Sequence, residues 1–262
     1  MGKRIFCMRL SKKGQLTIFV IIGIVIVAGI VGYFVVTGVG GGEENALTPE
    51  LSSAKDNILD CYRNLDTVII EITGMQGGYY SSVEGPREEY EDGTFIPYHS
   101  YNFNSFIPSL VRIEEEIAKG IDDNVDYCLD DSDFTLLGLE YGTSKSDVKI
   151  SHGKVSVVTN LDLNFIKGEK RYLVKLGDYQ RIVESNYFDM YSIAKFINEE
   201  RDDICLTCVL EMAEESDLNV DFMNFDESNL KEMIVISDYS EEQYPSSLEF
   251  LNKIPEVISD EV

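Results

Sequence analysis

The chain has 262 residues, with 47 acidic side chains against 22 basic ones and a net charge of −25. All the Asp and Glu lie after Gly42, while Lys3, Arg4, Arg9, Lys12 and Lys13 precede Gln15, so residues 43–262 hold 17 basic and 47 acidic side chains. Such a surface repels phosphates and anionic lipid headgroups, which excludes nucleic acid as a partner and suits a saline exterior, divalent cations or basic partners.

Residues 16–39 contain no charged side chain. At about 1.5 Å per residue this run spans a ~30 Å hydrocarbon layer with some tilt, and it predicts a transmembrane helix whose partner is the lipid bilayer. Five cations before it, with Glu43 and Glu44 after it, predict a cytoplasmic amino terminus and an extracytoplasmic remainder. A Sec leader has a shorter apolar core ending at an A-x-A-like site, and neither feature is present. Gly38, Gly40, Gly41 and Gly42 disfavour continuation of the helix by about 1 kcal/mol each. The expected organisation is a basic leader at 1–14, a membrane helix at 15–39, a glycine-rich tether at 40–48 and one acidic α+β domain at 49–262.

Thr48 and Pro49 read as a cap followed by proline at the first helical position. Apolar residues then fall at Leu51, Ala54, Ile58, Cys61, Leu65, Val68 and Ile72, which predicts an amphipathic helix ending at Gly74 and packed against the domain's own sheet. Residues 79–107 read as a long irregular segment. Its Tyr79, Tyr80, Tyr98, Tyr101 and Phe103 are candidates for a protein-partner surface, with rings that seal one edge of the core as the plainer alternative. A second helix is expected over 108–129, its inner face marked by Leu110, Ile113, Ile117, Ile121 and Cys128, with Glu114, Glu115 and Glu116 mostly outward.

The period then changes to two. Val148 and Ile150, a turn at His152 and Gly153, the run Val155 to Phe165, a turn at "KGEK" and a strand beginning at Tyr172 predict an antiparallel meander. From Asp189 the helical period returns, giving two helices or one kinked at "NEERDD". "LNVDFMNF" and "MIVISD" predict a second hairpin, and "SLEFL" one more edge strand. Helix blocks beside strand blocks mean an α+β domain.

Cys61, Cys128, Cys205 and Cys208 lie after the span. An even count fits disulfides in an oxidising space, with three possible pairings. Cys61 and Cys128 both fall on buried helical stripes, which favours a bridge between those helices. "CLTC" has redox-motif spacing, and with Asp202 or Asp203 as cap Cys205 would sit in the first turn of a helix, where the dipole lowers a thiol pKa. A local structural bridge is the first reading of this pair, thiol exchange or free thiols the alternatives. His99 and His152 stand singly, "DDSD" at 130–133 lacks EF-hand spacing, and no catalytic constellation, metal site or cofactor motif is found. The chain is therefore not expected to be an enzyme.

"KKGQLTIF" resembles the class III leader of archaeal pilins and related proteins, in which a basic segment is removed after Gly and the apolar helix stays in the mature product. The resemblance implies a cut between Gly14 and Gln15. Phe19 stands where pilin-like segments carry Glu, so a minor pilin-like subunit or filament initiator is the second reading. "GQLTIFVIIGIVIV", "GMQGGYY", "IPY" and "YFDMYSIAKFI" also resemble a group of uncharacterised archaeal single-span exported proteins. The expected role is that of a single-pass, membrane-anchored cell-surface protein that binds or builds, with an exported thiol-disulfide oxidoreductase acting through Cys205 and Cys208 as a further alternative.

Overall fold

The computed structural model describes residues 48–253, apart from Glu84, Asp92 and the segments 130–136, 201–203, 226–230 and 240–245. The expected leader with Gly14 and Gln15, the expected span, nearly all of the tether and the "DDSD" run lie outside the described residues. Among the described residues no helix is long and apolar enough to cross a membrane.

Helix α1 (Pro49–Met75) begins at its proline and runs one residue past the expected stop. Its buried face starts as expected at Leu51, Ala54 and Ile58, then passes through Tyr62, Leu65, Ile69 and Thr73, leaving Cys61 and Ile72 half-buried and Val68 exposed. The predicted stripe has a period of 3.5, and a straight helix at 3.6 drifts from it by about 20° per heptad. Gly74 lies so close to the Ser247 carbonyl that a Cβ there would overlap it.

The segment expected to be irregular contains three strands, β1 (Arg87–Glu89), β2 (Phe95–Tyr101) and β3 (Asn104–Ser105). With β10 (Asn219–Asn224), β11 (Lys231–Asp238) and β12 (Ser246–Lys253) they form a six-stranded sheet of order β1-β2-β12-β11-β10, β3 pairing with β2. The predicted β10–β11 hairpin is present. Strand β12 is interior rather than an edge: it pairs antiparallel with β11 and parallel with β2. Leu248, Phe250 and Leu251 are fully buried, as a strand covered on both faces requires.

The expected single helix over 108–129 is divided into α2 (Leu110–Asp123) and α3 (Val125–Leu129). Asn124 forms the break, and its side chain donates to the Gly120 carbonyl and the Tyr80 hydroxyl. Ser109 caps α2 through its hydroxyl, which accepts from the Arg112 amide at 3.2 Å. Glu114 and Glu116 are buried, contrary to the outward face expected for them.

The meander comprises β4 (Gly138–Tyr141), β5 (Lys145–Ser151), β6 (Lys154–Asn160), β7 (Asp162–Lys167), β8 (Lys170–Lys175) and β9 (Arg181–Glu184). Its turns fall where predicted, with Gly153 and Gly168 at φ +70° and +62°. The long strands expected there are each interrupted at the same level, giving two three-stranded sheets, β4-β7-β8 and β5-β6-β9. Buried Leu161 and Leu176 make the corner, the Leu176 amide donating to the Leu161 carbonyl at 2.9 Å.

Helix α2 lies along β5, the outer strand of its sheet. Glu114 accepts from the Ile150 amide at 3.0 Å and Asp122 from the Ser146 amide at 3.1 Å. Eight helical residues rise about 12 Å and four strand residues about 13 Å, so the two carboxylates match alternate free amides and close an exposed edge.

Helices α4 (Tyr187–Glu199) and α5 (Leu206–Glu215) complete the α+β domain. One continuous apolar core joins α1, α2, α4, both three-stranded sheets and the inner face of the six-stranded one. Ile96, Tyr98 and Leu251 form a smaller cluster of their own.

Candidate functional site

Both cysteine pairs are joined. Cys61–Cys128 ties α1 to α3 with a Cα–Cα distance of 5.6 Å, the pairing favoured by the helical stripes. Cys205–Cys208 closes a local loop at 5.3 Å. Cys205 is not inside the first turn of α5 but is itself the N-cap: its Sγ accepts from the Cys208 amide at 3.3 Å and lies 3.5 Å from the Thr207 hydroxyl. Both cysteines are half-buried, Val209 enters the core, and Leu206 and Leu210 are 55 % and 56 % exposed.

The five aromatic candidates do not form one surface. Tyr98 is buried and donates to Glu88 at 2.6 Å, which removes it from any partner face. Tyr80 packs against Gly120 at the helix crossing, where a Cβ would lie 2.6 Å from Ile69 and 2.8 Å from the Tyr80 ring. Tyr79 is half-buried and its hydroxyl is 3.4 Å from the Phe106 carbonyl. Tyr101 meets the edge of Tyr98 at 5.0 Å and carries Lys253 over its ring. Phe103 alone of the five is exposed, at 61 %, beside Asn102 at the β2–β3 turn, where both residues have left-handed backbones with φ of 66° and 49°.

A buried polar cluster escaped sequence patterning. Arg181 donates to both oxygens of Asp66, at 2.6 and 3.1 Å, and to Thr159 at 2.7 Å. Ser146 continues the chain, 3.0 Å from Thr159 and 2.8 Å from Asp122. Asp66 and Arg181 are almost wholly inaccessible. Burial pushes the Asp66 carboxyl up, opposed by the Arg181 hydrogen bonds and charge. The guanidinium also lies over the Tyr62 ring at 5.0 Å, and burial raises the Tyr62 hydroxyl strongly. A signal was present: once helical drift is allowed, Asp66 falls on the buried stripe.

His99 is fully buried, stacked on Phe250 at 4.1 Å, with Nε2 2.9 Å from the Gly77 carbonyl. A carbonyl only accepts, so Nε2 carries the proton. Desolvation drives the imidazole pKa down to about 4. His152 is exposed, its Nδ1 3.0 Å from Asp189.

A cleft of about 470 Å³ opens between α1 (Arg63, Thr67, Ile70, Glu71), the β5–β6 turn at Gly153, residues 182–186 and the facing ends of β11 and β12 at Asp238 and Ser246. Asn186 donates to Asp238 across it at 3.0 Å. Its lining holds three carboxylates and one arginine, a set that favours a cationic group. Among the described residues no group of three or more His, Cys, Asp or Glu is gathered to hold a metal ion. Comparison with protein-family models, curated proteins and solved structures finds no match to this chain.

Proposed function

We propose that this chain is a single-pass cell-surface protein, anchored by residues 16–39 with its amino terminus in the cytoplasm, whose acidic domain acts outside by binding or structure. The observation that carries the proposal is the uncharged run flanked by five cations on one side and by every carboxylate of the chain on the other. Hydrophobic length supplies the anchor and charge asymmetry the orientation. The two disulfides support an oxidising compartment, where small and middle-sized domains use such bridges. A cut between Gly14 and Gln15 would remove all five cations of the basic front and leave the anchor.

The binding role draws support from Phe103. A bulky side chain held at φ 66° and largely in solvent raises the free energy of the fold, and local backbone strain of this kind concentrates at functional positions. The partner would be a protein at the cell surface, with basic groups favoured by the domain's charge.

Mass spectrometry of the protein extracted unreduced from its native membrane tests the proposal. A chain beginning at Gln15, recovered with the bilayer and bearing both bridges, is the expected result. A chain recovered from the soluble fraction with Cys61, Cys128, Cys205 and Cys208 all as free thiols would overturn it.

A further inference from the structure

We propose that Cys205–Cys208 is a redox-active disulfide that accepts two electrons from a cysteine pair on another exported polypeptide, with Cys205 as the sulfur attacked. The inference goes beyond the binding role above and uses only the oxidising location that role shares. The two bridges of the domain differ in kind. Cys61–Cys128 spans 67 residues between two helices, with Cys128 buried in the core. Cys205–Cys208 spans three residues, so it restrains little chain, and it stands half-exposed at the start of α5.

The geometry singles out Cys205. Its Sγ already accepts the Cys208 amide and lies within reach of the Thr207 hydroxyl, so two donors stand ready for a thiolate at the end of a helix, where negative charge is favoured. A stabilised reduced form makes the disulfide an oxidant. Leu206 and Leu210, one turn apart and both more than half exposed, supply an apolar rest for an unfolded segment beside the sulfur. The domain's negative charge favours segments with basic flanks.

In the first step a substrate thiolate attacks Cys205 Sγ, the Cys205–Cys208 bond breaks, and Cys208 leaves as a thiolate that takes up a proton. In the second, the substrate's other thiolate attacks its own sulfur in the mixed disulfide and expels Cys205 as a thiolate. The substrate pair is oxidised and the protein pair reduced. A low-molecular-weight disulfide restores Cys205–Cys208 by the reverse exchange, leaving as two thiols.

The test uses the full chain in detergent, with Cys61–Cys128 as an internal control. Dithiothreitol is expected to open Cys205–Cys208 at concentrations about 100-fold below those that open Cys61–Cys128. At about pH 6.5, Cys205 in a Cys208→Ala variant should react with iodoacetamide about 10-fold faster than Cys208 in a Cys205→Ala variant, because only the former keeps the N-cap donors. A reduced peptide with two cysteines flanked by lysines should be oxidised, and Leu206→Ser with Leu210→Ser should slow that about 10-fold while leaving reduction by dithiothreitol unchanged. Equal alkylation of the two variants, or a peptide oxidised no faster than by the same concentration of oxidised glutathione, would overturn the proposal. Retention of Cys61–Cys128 in each variant verifies that the domain has folded.

Discussion

A His99→Gln substitution isolates the contribution of one buried imidazole to stability. The ring pKa falls from its ordinary 6.5 to about 4, with desolvation as the cause. A group whose folded pKa is depressed binds its proton more readily in the unfolded chain, so stability rises with pH across the interval between the two values and is lost as pH falls through it. At 1.36 kcal/mol per tenfold difference in proton affinity, the wild-type protein should lose about 2.5 kcal/mol from this residue between about pH 7.5 and about pH 4.5. The substituted side chain would keep an amide able to donate to the Gly77 carbonyl but would not titrate. Burial raises Glu232 and Glu249, which adds stability as pH falls. Those groups are common to both proteins and cancel in the difference. Urea unfolding at a series of pH values, wild type minus variant, gives the curve directly. A flat difference across that range would refute the reasoning, since His99 would then titrate alike in both states.

Three further outcomes follow from the packing. Removing the Cys61–Cys128 bridge by a double Ala substitution should cost about 4 kcal/mol in the chain-entropy model, read as a lower urea midpoint. Arg181→Met strands the Asp66 carboxylate in the core and should cost about 3–5 kcal/mol, whereas adding Asp66→Leu to it should recover a large part of that loss; a double variant no more stable than the single one contradicts the reading. Phe103→Gly relieves a left-handed backbone and should raise stability by about 0.5–1 kcal/mol, while weakening any partner that docks on the ring.

Periodicity located most of the elements because burial acts locally on it. The meander turns at Gly153 and Gly168 and the opening of α1 at Pro49 each have a nearby residue that dictates them, and the hairpin of β10 and β11 shows in its two apolar runs. What escaped depended on distant partners. Strand β12 reads as an edge until β2, some 150 residues earlier, is placed beside it. Glu114 and Glu116 look solvated until the amides of Ile150 and Tyr80 require acceptors. Asp66 and Arg181 lie 115 residues apart, and neither carries a local mark of the other. The Cys61–Cys128 bridge was legible because both cysteines fall on the apolar stripes that sequence periodicity predicts, although helical drift leaves Cys61 only half-buried. The capping role of Cys205 was not, since two aspartates stood nearer the expected position.

The proposed location, oxidising surroundings and role all depend on the acid-rich domain lying outside the cell membrane, and surface labelling of intact cells tests that most directly. A membrane-impermeant amine reagent should modify lysines such as Lys119, Lys149 and Lys195 without lysis, and leave Lys3 and Lys12 untouched in any chain that retains them. Modification of the first group only after the cells are broken open would contradict the proposed orientation.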